Sequence, residues 1–339
     1  MGEGKYPSRN LGALAAARTP KVREDVAAFW PGMHRVKAFI PAEATYYHHH
    51  AEQVARFNPG ILDDVRAAVA QVSSALALER KRRGEPRGLD PAHFNDQLRR
   101  GFAAVNSQHD RGRPGWTFEA RIKDGVVWDH ATHEKAKVDG FDVACYDAAH
   151  NCAAVRNLCF GRRALDDGAE VWRKCRASFA HWTPYLDSVP QGKAGEDITV
   201  AKSEPTVIGE IQCGNWALVH RDFMKLLQAE RELAKIGDEL DMFVYICPTG
   251  TLSNYMSGGT VSFAKTVEYL QHFRAVITVP TVVIGVDVRI DSAGADRTGL
   301  VSEDLKRKLR ARVTVNPLIE EVAPALVEPT DGDGISDDP

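Results

Sequence analysis

Thr206-Val-Ile-Gly-Glu-Ile-Gln-Cys-Gly-Asn215 carries an apolar run into an acid, then an amide two residues on, then a Gly-Asn turn. Side chains along a strand alternate faces, so Glu210 and Gln212 point the same way. A desolvated carboxylate is costly unless it is paired, hydrogen-bonded or bound to a metal. On a central strand, this acid and amide mark a site facing a cleft. On an edge strand, the same pair simply faces water.

The residues that follow favour the central strand. Trp216 to Lys235 places Trp216, Val219, Phe223, Leu226, Leu227 and Leu233 at three- and four-residue steps or their sums, which predicts a helix. Asp241 to Cys247 reads as a strand closed by Pro248-Thr-Gly250. Thr251 to Gly259 is small, polar and Gly-rich, which predicts an exposed loop. Val261 to Phe273 is amphipathic and helical, and Val279 to Val286 is a second near-continuous apolar strand. Strand, helix, strand, helix, strand is the α/β pattern, with strands covered on both faces.

This order of elements carries Glu210-Ile-Gln212, Gly214-Asn215, Ser253-Asn254 and Val279-Pro280 before a Val-Val-Ile-Gly strand. It resembles the BglII-type restriction endonucleases, in which Gln can stand where most PD-(D/E)xK nucleases have Lys. A second likeness is His50-Ala-Glu-Gln-Val-Ala-Arg-Phe-Asn-Pro59 followed by a helix from Ile61, similar to the family's opening helical segment. The resemblance covers roughly Lys135 to Asp287, less an insertion, plus that N-terminal piece. It implies an α/β (α+β) fold with a central mixed sheet flanked by helices. It also implies a type II, Mg²⁺-dependent homodimer that cuts double-stranded DNA at a short palindrome. Mn²⁺ is expected to substitute, and a cognate DNA methyltransferase is expected in the same system.

Phosphodiester hydrolysis calls for a hard divalent cation on carboxylates, with water completing its shell. Glu210 and the main-chain carbonyl of Ile211 are the expected metal ligands, and Gln212 can orient water or bond the phosphate. The partner aspartate is where this chain departs from the family. Asp139, in Lys137-Val-Asp-Gly-Phe-Asp-Val-Ala144, follows an apolar residue as the family's acid does, but lies about seventy residues before Glu210. Choosing it implies an insertion over roughly 147–204. Asp197 is the alternative, set opposite Glu210 by a hairpin turning near Ser203-Glu204; Asp142 is the third choice. Asn215, Ser253, Asn254 and Ser257 are the candidates for reading bases, since Asn can bond adenine bidentately and Ser either edge type. As plain structure, Asn215 would cap a helix and the others would form a turn. His220 and Arg221 could touch phosphates.

At 339 residues, 44% hydrophobic and 26% charged, the composition is that of an ordinary globular chain. No apolar run approaches a membrane span and no basic-then-apolar leader is present, so a cytoplasmic enzyme is expected. Net charge is −3, but residues 1–125 hold a surplus of Lys and Arg. Arg80 to Arg83, Arg99-Arg100 and Arg111 to Arg113 concentrate it, as phosphate contacts would. Cys145, Cys152 and Cys159 recur at sevens beside His150, an uncommon zinc spacing, so free thiols are the default. We expect one endonuclease domain over 1–327. It has a helical part at about 30–125, a catalytic core at about 135–290 and a disordered acidic tail at 328–339. Helices are expected at Val22 to Phe29, Leu62 to Arg82, Pro91 to Val105, Asp167 to His181 and Ser302 to Arg312, with strand character from Gly115 to Trp128. The rival functions are a non-cutting DNA-binding protein on the same fold, a repair or branched-DNA nuclease, and an α/β enzyme unrelated to nucleic acid.

Overall fold

The structure is a computed structural model that describes residues 36–72, 79–82, 85–89, 91–108, 115–131, 140–255 and 260–290. The expected helices at Val22 to Phe29 and Ser302 to Arg312, the acidic tail, Asp139 and Ser257 lie outside the described residues.

Strands β1 (Val36–Phe39) and β2 (Thr45–His48) lead into helices α1 (Ala51–Phe57) and α2 (Pro59–Ala70). A small ribbon, β3 (Glu79–Arg82) and β4 (Glu85–Leu89), precedes α3 (Pro91–Asn106). The helix expected over Leu62 to Arg82 therefore ends at Ala70, and its last residues form β3. Then come β5 (Thr117–Lys123), β6 (Val126–His130) and β7 (Phe141–Cys145). A helical excursion follows: α4 (Ala148–Phe160), α5 (Gly168–Ser178), a 3-10 turn (Ala180–Trp182) and α6 (Thr183–Ser188). The chain returns through β8 (Val207–Ile211), α7 (Leu218–Ala234), β9 (Met242–Pro248), α8 (Gly250–Tyr255), α9 (Phe263–His272) and β10 (Thr281–Ile290).

One mixed sheet runs β1-β10-β9-β8-β7-β5-β6, with β1 and β2 end to end along the same edge of β10. Strands β8, β9 and β10 are parallel; β7, β5 and β6 continue antiparallel. All residues of β7, β8 and β9 are buried, as strands covered on both faces must be. Gly209 has a structural reason: a Cβ there would lie 2.9 Å from Val143 and 3.0 Å from the Val244 carbonyl, so only glycine lets these three strands meet.

The excursion between β7 and β8 packs Cys152, Val155, Cys159, Cys175, Trp182, Leu186 and Val189 together and against Val126 of β6. Buried Arg156 holds its coiled end by donating to the carbonyls of Gln191 (2.9 Å), Lys193 (2.9 Å) and Glu196. A polar chain ties the excursion to the sheet. Trp182 donates to the Tyr146 hydroxyl (2.8 Å), Tyr146 to Asp129 (2.6 Å), and His181 sits 2.7 Å from Asp129's other oxygen. The four cysteines here and in β7 are free thiols, and among the described residues no three His, Cys, Asp or Glu side chains converge as a preformed ion site. In the run His48-His49-His50, the first two rings reach the carbonyls of Ile277 (2.8 Å) and Arg274 (2.7 Å). No helix among the described residues is long and apolar enough to cross a membrane.

Candidate active site

The antiparallel register of β7 and β8 pairs Val143 with Gly209 and Ala144 with Ile208. Continued by one residue, it sets Asp142 opposite Glu210, so their side chains share a face of the sheet. Both are buried, at 9% and 4% exposure. Asp142 accepts the Ile211 amide (2.8 Å) and the guanidinium of Arg99, and the same Arg99 pairs with Glu119 of β5. Asn95, one helical turn before Arg99, donates to the Ile211 carbonyl at 2.6 Å. Glu210 accepts from the ammonium of Lys225, which also reaches the Gly140 carbonyl at 3.2 Å. Fully buried Asp222 takes the Gln212 amide (2.9 Å) and lies 3.3 Å from the Tyr245 hydroxyl.

The electrostatics follow from burial. Glu210 is pushed well above the usual carboxylate range by desolvation and then by Asp142, with Lys225 opposing. Burial works against Asp142 as well, but Arg99 and the Ile211 amide hold its carboxyl below the usual range. Burial also raises Asp222, against the pull of Gln212 and Lys225. Helix α7 makes this tolerable. It buries Val219, Phe223, Leu226, Ala229 and Leu233 on the face that carries Asp222, and each Leu or Phe contributes roughly 1.5–3 kcal/mol.

Four buried carboxylates (Glu119, Asp142, Glu210 and Asp222) thus face Arg99 and Lys225, with exposed Arg221 at the rim, 3.7 Å from Asp222. The all-oxygen donors of Asp142, Glu210 and the Ile211 carbonyl fit a hard divalent cation, whose charge would offset the burial that raises Glu210.

The other expected residues fall elsewhere. Asp197 is exposed and accepts the Arg162 amide (2.9 Å) in the coiled end of the excursion; the described residues 198–206 contain no strand, so the expected hairpin opposite Glu210 is not formed. Gln212 lies beside Glu210, but both ends of its amide are engaged, by Asp222 and by the Gly214 amide (3.0 Å). Exposed Asn215 accepts from the Ala217 amide (3.0 Å) and bridges Thr260. The expected loop over 251–259 begins as helix α8, which carries Ser253 and Asn254, and the Ser253 hydroxyl is buried without a hydrogen-bond partner among the described residues. Exposed His220 lies 3.2 Å from the Tyr269 hydroxyl. Arg99, expected at a phosphate, is instead 6% exposed and serves the carboxylates, while exposed Arg100 pairs with Asp96. Sequence reasoning places Arg99 at a phosphate and misses Asn95, Asp222 and Lys225. Only Asp222 left a trace, as an acid on the apolar stripe of α7.

Asp142 and Glu210, on adjacent central strands, thus form an oxygen cluster at one end of a mixed sheet that is compatible with a hard cation. The sequence profile of the restriction endonuclease BglII/BglIII family matches residues 44–286, and the chain belongs to that family. It is accordingly a BglII-type restriction endonuclease, a site-specific deoxyribonuclease. A crystal structure of restriction endonuclease BglII complexed with a DNA 16-mer is similar over 71% of this chain and 76% of that one, at 12% identity and a TM-score of 0.36. Among curated proteins, none matches the chain.

Proposed function

We propose that this endonuclease is a homodimer that cuts double-stranded DNA at a short palindrome with Mg²⁺, or Mn²⁺ in its place, beside a cognate methyltransferase. Two-fold protein symmetry would match a two-fold site. The observation that carries the reading is the cross-strand pair of Asp142 and Glu210 beside the Ile211 carbonyl. These three groups would hold the cation. When bound, it would polarise the scissile phosphate and lower the pKa of a coordinated water. Arg99 fixes Asp142, and Asn95 fixes the Ile211 carbonyl. Gln212, held by Asp222, presents a fixed amide dipole beside Glu210. Asn215, Ser253, Asn254 and Ser257 would meet the bases, and Asp139 is the competing acid.

The test is a gel of phage DNA incubated in Mg²⁺ with wild type and Glu210→Ala. Discrete fragments from the wild type alone support the reading, and their sequenced ends give the site. Duplex binding with no cutting under any divalent ion would overturn it. Sedimentation with and without duplex reads the oligomeric state.

A further inference from the structure

The strand that supplies Glu210 supplies no cation. Gln212 is neutral, and its amide is held at one end by Asp222 and at the other by Gly214. A phosphodiester entering this site brings a negative charge toward four buried carboxylates, so attack needs positive charge from the protein as well as from the metal.

Lys225 provides such a group. It stands two turns into α7, fifteen residues after Glu210, with 15% of its side chain exposed. Its stem passes the Phe141 ring, with the ammonium 5.1 Å from the centroid. Its Nζ donates to Glu210, reaches Gly140 at the start of β7 and lies 4.0 Å from Asp222. Arg99 cannot take this part, because both arms of its fork are spent on Asp142 and Glu119. A lysine, a compact charge on a flexible four-carbon stem, can exchange partners without leaving the site.

We propose that Lys225 is a catalytic residue, supplying from α7 the cation missing from Glu210-Ile-Gln212. It pairs with Glu210 before metal binds and passes to a phosphate oxygen once a divalent ion takes that carboxylate. It stays an ammonium throughout and neither gives nor takes a proton. This rests on the cleavage reading above.

Lys225→Met is to be compared with wild type in three measurements: circular dichroism for folding, calorimetric titration with Ca²⁺, and single-turnover cleavage of a duplex in Mg²⁺. The expected result is a folded variant that binds Ca²⁺ at least as tightly, since a competitor for Glu210 is gone. Its cleavage should be about 100-fold slower, the scale of removing one charge-stabilising donor. Lys225→Arg should recover part of the rate. Cleavage by Lys225→Met at the wild-type rate would overturn the inference and leave the endonuclease reading standing. So would parallel loss of Ca²⁺ binding and cleavage, because Lys225 would then only organise the ligands. No cleavage by wild type would sink both. If the Met variant does not fold, Lys225→Gln, which can still bond Glu210, carries the same test.

Discussion

Asp142 and Asp197 separate cleanly at the level of single residues. Asp142 shares a buried face with Glu210, while Asp197 is exposed and accepts the Arg162 amide. We expect Asp142→Asn to fold, because Arg99 keeps Glu119. It should cut at least ~100-fold more slowly, since a metal ligand contributes several kcal/mol of transition-state stabilisation. Asp197→Ala should cut like wild type, and Asp139→Asn assayed beside them tests the first choice read from the sequence; single-turnover rates read all three. Gly250 is equally specific. Its φ is +48°, and an added Cβ would lie 2.2 Å from an Asp287 carboxylate oxygen, where the same carboxylate accepts the Leu252 amide (2.8 Å). Gly250→Ala should therefore lower the urea midpoint, at a cost of about 1–3 kcal/mol.

The parts read well from sequence are those whose pattern is local. Strands β8, β9 and β10 and helices α3, α7 and α9 follow from apolar periodicity, because burial of one face or both is written in consecutive residues. What was hidden depends on partners far along the chain. The β7–β8 register that sets Asp142 opposite Glu210 forms across 68 positions, and no local signal encodes it. Helix α8 looks like a loop because its stabilising acceptor, Asp287, lies 35 residues beyond Leu252.

The clamp at the end of the excursion is likewise non-local. His150 of α4 faces Asp238 (3.3 Å) and the Val200 carbonyl (2.8 Å), while Lys202 bonds Asp238 (3.0 Å) and Asp241 (2.6 Å). The Asp238 hydrogen bond raises His150 above its ordinary 6.5, against burial and Lys202. A raised histidine stabilises fully below 6.5 and loses that contribution as pH rises through its folded value. Asp238 goes the other way: burial opposes its ionisation, but His150 and Lys202 pull it down to about 2. Its contribution is present above 3.8 and lost as pH falls from there toward 2. The wild-type urea midpoint should thus decline as pH rises above 6.5, and His150→Asn should flatten that decline.

For the whole molecule, the family match spans 44–286, yet β1 lies before it and the end of β10 after it. These segments pair with each other, Val36 to Ile290 through Phe39 to Asp287. A chain trimmed to 44–286 lacks both strands of that ladder and Asp287, the acceptor of the Leu252 amide. It should unfold at lower urea than a chain trimmed to 36–290.

The excursion between the two acid-bearing strands also bears on the order of assembly. Residues 146–206 must close as a loop before Asp142 can meet Glu210. Closure entropy rises slowly, by about 0.6 kcal/mol per doubling of length, but it is paid in full if the loop is unstructured. A segment with its own apolar centre can condense first and bring its two ends together. The Asp142–Glu210 pair would then be an end product of folding, templated by the unit inserted between its two strands. Leu186→Ala, inside that unit, should slow refolding more than it speeds unfolding in stopped-flow chevrons.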